Sequence, residues 1–297
     1  MYRIIVFRII PLGLFLSISG YLLGQINFES HEKNLIVLLK GIRNADNDSV
    51  RNYYSSQLRD EFIYILDVEG SFDYEFKGIN EYMSNLVSPD KKVRIFNWNV
   101  SYSDYSNTYF AFVQTYDKKS KQNTWYELTD FTNNLDKLEN KYLKPEKWLG
   151  AIYYEIIPIK KGKKTIYTLL GWKGIDKNTQ QKTIDAFSIN SGKLRLGAPI
   201  FKTDKGTKKR IIIKYSREVK VSLKWRDKEE RIVFDHVIPR DPAMKGAYAF
   251  YGPDLSFDAF NLVKGKWIFE SDVDVRMGKN QKSYNDPRSR KERKRKD

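Results

Sequence analysis

The sequence predicts a mainly β protein, an antiparallel meander arranged as a sandwich or an open barrel, with a helical segment before it. Apolar residues recur at helix spacing only in the first third of the chain, and from Lys92 onward they alternate every second residue. Short turns containing Gly, Asn or Asp separate the alternating runs, so consecutive strands are expected to be antiparallel neighbours. Tryptophans that recur in strands near glycine turns leave a small irregular propeller as the alternative.

The chain divides into four predicted regions. Residues 1–24 form a signal peptide, 25–90 a helical segment packed on the sheet, 91–276 the antiparallel β domain, and 277–297 a disordered basic tail. The tail has almost no apolar residues, which is typical of disorder.

The N-terminal region has the parts of an export signal. Arg3 and Arg8 form a positively charged start. They precede an apolar run, Ile9–Leu23, that is shorter than the roughly 20 residues that cross a bilayer. We expect cleavage near Gly24; the alternative is an uncleaved anchor that would place Arg8 in lipid. No other apolar run approaches spanning length, so we expect an exported protein of the periplasm or cell surface, with no transmembrane span after cleavage.

The helical segment contains two predicted helices and a shorter third. The first is expected to begin at the N-cap Ser30, and the second follows the loop Asp46–Ser49. The third is expected from Tyr82 to Val87. The apolar residues at helix spacing in the first two are Leu35, Leu38, Leu39, Ile42, Val50, Tyr54, Leu58, Phe62 and Ile65.

The β domain is predicted to contain ten or more strands. Phe96 and Phe110 lie in the first two, and residues 131–147 form a long polar connection. The later predicted strands are Ala151–Ile159, Thr165–Trp172, Thr183–Ile189, Arg210–Tyr215, Val219–Trp225, Arg231–Val237, Leu255–Val263 and Lys266–Val275.

The composition excludes several kinds of chemistry. There is no cysteine, which excludes disulfides, zinc–thiolate sites and thiol nucleophiles. With only two histidines, no glycine-rich phosphate loop and no serine nucleophile elbow, we predict neither a cofactor nor a metal site. The chain is 41% hydrophobic and 14% aromatic, as expected of a protein with its own core.

The net charge of +16 is concentrated locally. Residues 276–297 hold ten Lys and Arg against three Asp and Glu, and residues 202–231 hold twelve against five. Export argues against nucleic acid, so the expected partners are an envelope protein or an acidic glycan or lipid surface. A tail that only aids solubility is the alternative.

One predicted strand, Val219–Trp225, has a cationic face. Lys220, Lys224 and Arg226 alternate with apolar residues, so burial of the apolar face would leave the cations in solvent. The preceding strand, Arg210–Tyr215, is expected to pair with it. The apolar face consists of Val219, Val221, Leu223 and Trp225.

His236 and four aspartates are candidates for catalysis. His236 is predicted to face inward with its neighbouring apolar residues, either as a core histidine or as a general base. Asp254, Asp258, Asp272 and Asp274 are candidate carboxylates for a glycosidase or for calcium. A turn and a solvated strand face are the alternative interpretations of these aspartates.

An aromatic cluster precedes Asp254. Tyr248, Phe250 and Tyr251 resemble a sugar-stacking platform, because pyranose faces stack on exposed rings beside a carboxylate. We take Tyr251 as a candidate binding residue. Burial in the core is the alternative for all three rings.

Six motifs occur along the chain, at residues 69–74, 94–98, 167–174, 197–201, 232–236 and 250–258. Together they resemble an uncharacterised family of exported proteins of Gram-negative bacteria. The resemblance implies export and implies no activity. An acidic residue commonly follows the tryptophan of one motif in that family, and Lys173 takes that place here, which weakens an ion-site interpretation.

We therefore expect an exported, non-enzymatic binding or accessory protein of the cell envelope. Polyanionic glycan, lipid headgroups and a protein partner are its candidate ligands. The alternative is a glycan or peptidoglycan hydrolase that uses paired carboxylates.

Overall fold

A computed structural model describes residues 27–117, 120–131 and 138–275. The predicted signal peptide, 1–24, and the predicted basic tail, 277–297, lie outside the described residues. The described chain is mainly β, with antiparallel sheets preceded by two helices, as the sequence predicts. Within these residues, neither helix combines the length and apolarity needed to cross a membrane.

The two helices form an antiparallel hairpin. Helix α1 spans Phe28–Asn44 and helix α2 spans Asp48–Asp67. Asn27 and Asn47 cap them, because each side-chain oxygen accepts a hydrogen bond from the backbone N–H three residues ahead. The predicted cap, Ser30, is instead the residue whose N–H the Asn27 side chain binds.

Fifteen strands follow in the described residues, and they form three open sheets. β1–β4 form the helix-side sheet, in that order. The central sheet has the order β11-β7-β6-β5, with β8 also paired to β7, and the outer sheet has the order β10-β9-β15-β14-β13-β12. The strands are β1 Ser84–Val87, β2 Val93–Ser101, β3 Asn107–Asp117, β4 Gln122–Thr129, β5 Ile152–Lys161, β6 Lys164–Gly174, β7 Thr179–Asn190, β8 Lys193–Leu196, β9 Phe201–Thr203, β10 Gly206–Lys208, β11 Ile211–Ser216, β12 Leu223–Arg226, β13 Arg231–Pro239, β14 Tyr251–Val263 and β15 Lys266–Glu270.

The helices and sheets stack as four layers with three cores between them. Phe62 of α2 packs on Phe96 and Trp98, so the helical hairpin covers one face of the helix-side sheet. The other face of that sheet packs on the central sheet through residues such as Val113 and Phe187. The central sheet then packs on the outer sheet, so it is buried on both faces.

The predicted third helix is wrong. Residues Lys77–Glu81 form a 3₁₀ helix, and the chain then enters strand β1. Six residues are too few for a helix that is stable alone, whereas Leu86 pairs with Ile95 of β2 and extends the sheet by one edge strand.

The predicted strand Val219–Trp225 and its pairing are also wrong in part. Only its second half is strand β12, which pairs with β13, whereas β11 pairs with β7 of the central sheet. Val219 N–H donates to Ser216 O, so the chain turns here and passes from one sheet to another. The connection between β11 and β12 is short, yet it joins strands of two different sheets.

A buried ion pair anchors the long connection before β5. Arg210 Nε donates to Asp185 Oδ1 at 3.0 Å, and both side chains are at most 1% exposed. Arg210 Nη1 also donates to the carbonyl oxygens of Leu138 and Lys141. These hydrogen bonds tie the connection to the central sheet, because burying the charged guanidinium is costly unless it is paired with a carboxylate and hydrogen-bonded.

Candidate functional site

A groove opens where the central and outer sheets diverge, and it encloses about 780 Å³. Its walls come from the loop after β6, the turn after β11, the end of β13 and the start of β14. The cationic side chains that line it are Lys177, Arg217 and Arg240, and the carboxylates are Glu218 and Asp254. Apolar side chains, including Ile238 and Phe250, form much of the remaining surface.

Arg217 is held in place by three contacts. Its backbone N–H donates to Asn178 O at 2.9 Å, and its Nη1 donates to Asp176 O at 2.9 Å. Its guanidinium carbon lies 5.4 Å from the ring centre of Tyr105, at the tip of the β2–β3 hairpin. A guanidinium fixed in this way loses little side-chain entropy when it binds an anion.

Exposed aromatic rings lie beside these cations. Phe250, which lines the groove, is 47% exposed, and Tyr248 is 40% exposed; both belong to one 3₁₀ turn. Tyr248 packs against Tyr251 with 5.0 Å between ring centres, and Lys214 Nζ lies 5.3 Å from the Tyr248 ring centre. The core interpretation of Tyr248 and Phe250 is therefore wrong, because neither ring is buried.

Tyr251 links this turn to the sheet. Its hydroxyl accepts a hydrogen bond from Gly246 N–H at 2.9 Å, which closes the loop before the 3₁₀ turn. Its backbone pairs with Pro239 in the β13–β14 ladder, and its side chain is half-buried in the groove wall. Tyr251 therefore both shapes the groove and lines it.

His236 lies on β13 at an irregularity in the strand pairing. Its Nδ1 atom lies 2.7 Å from Asp258 Oδ2, and Asp258 Oδ1 accepts Asp272 N–H at 3.3 Å. The His236 side chain is 40% exposed and that of Asp258 is 7% exposed, so the predicted inward-facing core position is only partly correct. The hydrogen bond to Asp258 raises the pKa of His236, and the charges of Asp254 and Asp272 add to that effect.

Asp254 has a structural role in the strand. Its Oδ1 accepts hydrogen bonds from Ser256 N–H at 3.0 Å and from Ser256 Oγ at 2.7 Å. These bonds lower the pKa of Asp254, which keeps it ionised. A glycosidase acid needs the opposite, a raised pKa.

The three cations of the predicted strand face are separated. Lys220 and Lys224 are exposed, but Lys220 precedes β12 rather than lying in it. Arg226 is half-buried, and its Nη1 donates to Val275 O at 2.8 Å and to Glu229 Oε1 at 3.4 Å. The three cations therefore do not share one exposed strand face.

Lys173, which replaces the acidic residue of the resembling motif, is buried. Its Nζ donates to Leu149 O at 2.7 Å and lies 3.8 Å from Asp130 Oδ1. Burial lowers the pKa of Lys173 to about 8, against the opposing effect of Asp130. No group of three or more His, Asp or Glu side chains suited to a metal ion occurs in residues 27–117, 120–131 and 138–275.

Sequence reasoning missed most of the groove. Lys177, Arg217 and Arg240 lie in three separate connections, and no spacing in the chain places them together. Arg217 follows a strand and precedes Glu218, which is an ordinary turn pattern. Of the residues that the sequence singled out, Phe250, Tyr251 and Asp254 line the groove.

The chain was compared with protein-family models, curated proteins and solved structures, and no match was found in any of the three.

Proposed function

We propose that this chain is an exported, non-enzymatic binding protein of the cell envelope, and that its groove binds an acidic glycan. The observation that carries this proposal is that Arg217, whose guanidinium is held by Asp176 O, lines the same groove as Phe250, whose ring is exposed. Export is supported by the charged and apolar character of residues 1–24.

The two groups recognise different parts of one ligand. An exposed aromatic ring offers a flat apolar face for a pyranose ring. A guanidinium binds a carboxylate or phosphate with two parallel hydrogen bonds. A glycan made of acidic sugars presents both features at short intervals, whereas a lipid headgroup lacks the stacking face.

The size of the expected binding energies favours a site that uses both the guanidinium and the aromatic ring. An exposed ion pair contributes only about 0–1 kcal/mol, so the cations alone would bind weakly and lose affinity in salt. Stacking on an aromatic side chain is much less sensitive to salt. We therefore expect binding that salt weakens without abolishing.

A binding measurement tests the proposal. The purified chain is titrated by calorimetry with an oligogalacturonate, an acidic oligosaccharide, and with a neutral oligosaccharide of the same length. Phe250→Ala and Arg217→Gln are each expected to weaken binding of the acidic ligand roughly tenfold, or about 1.4 kcal/mol.

Matched controls lie elsewhere on the surface. Tyr53→Ala removes an aromatic ring that is 62% exposed on α2, and Lys224→Gln removes an exposed cation of β12. Both should bind as the wild type does. Equal loss in the Lys224→Gln variant, or no binding of the acidic ligand by the wild type, would contradict the proposal.

The alternative, a glycan hydrolase, rests on the pairing of His236 with Asp258. A histidine oriented by a carboxylate is suited to act as a general base. Appearance of new reducing ends when the chain is incubated with the oligosaccharide, lost in His236→Gln, would favour this alternative over binding alone.

A further inference from the structure

Leu255 is the most unusual surface residue of the described chain. Its side chain is 90% exposed, and its φ is 73°, in the left-handed region. A bulky residue with a branched side chain rarely adopts this conformation, because its Cβ then lies too close to the following carbonyl oxygen. Neither burial nor backbone preference explains a leucine at this position.

The backbone holds Leu255 in that conformation. Pro253 pairs with Val237 and Phe257 pairs with Asp235, so three residues of β14 lie opposite His236 alone. The two hydrogen bonds from Ser256 to the Asp254 carboxylate close the bulge on either side of Leu255. The leucine is therefore a fixed apolar projection rather than part of a loose loop.

An acidic border adjoins this projection. Exposed Asp254 directly precedes Leu255, and the Asp258 carboxylate, which contacts His236 opposite the bulge, accepts a hydrogen bond from the N–H of exposed Asp272. An acidic border disfavours contact with an anionic membrane. It favours a protein surface that combines an apolar recess with cations.

Such a surface lies next to Leu255 on the same molecule. The groove places the apolar side chains of Ile238 and Phe250 among three cationic and two acidic side chains, so its net charge is positive. Asp254, one of the two acidic residues, directly precedes Leu255 in the chain. Because the projection and the groove adjoin, two copies related by a two-fold axis can exchange them. We infer that this chain self-associates, with Leu255 of each copy inserted into the groove of the other.

This inference rests on the geometry of the groove and not on the ligand proposed for it. When each copy inserts its Leu255 into the groove of the other, both grooves are covered. The dimer is therefore the form that holds no glycan. Loss of self-association and loss of glycan binding can therefore be measured separately in the same variants.

Sedimentation equilibrium of the full chain, without glycan, tests the inference. Leu255→Asn removes the apolar projection and suits a positive φ, because asparagine tolerates the left-handed region. It is expected to raise the dimer dissociation constant at least about tenfold. Arg217→Glu is expected to weaken association as well, because it places a carboxylate opposite the acidic border.

Val263→Asn is the matched control, since Val263 is 46% exposed near the far end of the same strand. It should associate as the wild type does. A wild-type chain that stays monomeric at all accessible concentrations would overturn the inference, as would a dimer that Leu255→Asn leaves unchanged. If Leu255→Asn is monomeric and still binds the oligogalacturonate, both this inference and the proposed function hold.

Discussion

The buried carboxylate of Asp258 lies 2.7 Å from the imidazole of half-exposed His236, at the one position where the β13–β14 ladder changes register. Asp258 is the cross-strand partner of Phe234, two residues before His236, so the contact runs diagonally across the ladder. The pair is also electrostatically coupled to the groove, because the charge of Asp254, which lines the groove, raises the pKa of His236 as well.

Titration of His236 is the first prediction. The hydrogen bond to Asp258 raises its pKa above the ordinary value of 6.5, so NMR of the imidazole signal should give a higher value than in an unfolded peptide. The chain has only two histidines, and the signal lost in His236→Gln identifies this one. Asp258→Asn should lower the pKa of His236, and an unchanged value would show that the carboxylate has no effect.

The same shift has a consequence for stability. The folded state binds the His236 proton more tightly than the unfolded state does. The resulting contribution of His236 to the free energy of unfolding is therefore fully present below the unfolded pKa, and it is lost as pH rises through the folded pKa. Urea unfolding of wild type and His236→Gln should therefore differ more at about pH 5 than at about pH 9. The difference should be below about 1 kcal/mol, since the histidine is partly exposed.

Breaking the buried pair of Asp185 and Arg210 is expected to lower the free energy of unfolding by a larger amount. Asp185→Asn leaves a guanidinium without a counter-charge at a place that is 0% exposed, so the free energy of unfolding should fall by about 3–5 kcal/mol. Glu29→Gln is the control, because Glu29 pairs with Lys33 on the surface of α1. That change should leave the free energy of unfolding close to the wild-type value, and similar losses in both variants would contradict the assignment.

Gly150 provides a test of packing between the helix-side and central sheets. Its φ is 64°, and a Cβ there would lie 2.6 Å from the Asp130 carboxyl group. Gly162 has a φ of 61° and nothing within 4 Å of such a Cβ. Both Gly→Ala variants carry the same backbone cost, so thermal unfolding should show a larger loss for Gly150→Ala, by roughly 1–3 kcal/mol.

The strain at Leu255 predicts a stabilising substitution. Leu255→Asn should raise the melting temperature of the monomer, because asparagine adopts a positive φ at lower cost. The thermal scan is made at low protein concentration, where association does not contribute. A lower melting temperature than wild type would show that Leu255 makes a stabilising contact within its own chain.

The sequence predicts the fold class well because the relevant signals are local. Apolar residues at helix spacing, such as Leu58 and Phe62, predict the helices, and apolar residues at alternate positions predict the strands. The prediction is wrong at Tyr82–Val87, where pairing with β2 forms an edge strand in place of a helix. It is also wrong at Val219, where the chain passes from one sheet to another. Both outcomes depend on contacts with residues far away in the sequence.

The candidate site was predicted only in part for the same reason. The cluster around Tyr251 is contiguous in the chain, so its aromatic character is visible. Arg217 and Tyr105 meet only because the central and helix-side sheets stack, and no local pattern encodes that contact. The alternation around Lys224 suggested a cationic face, but alternation does not show where a strand begins.

The position of ligand binding tests the central claim most directly. In a two-dimensional NMR titration with the oligogalacturonate, we predict that the largest chemical-shift changes fall on Arg217, Phe250 and Tyr251, with those of Lys220 and Lys224 smaller. The largest changes at Lys224 and Arg226, or shifts spread evenly over the basic surface, would contradict a groove that recognises an acidic glycan.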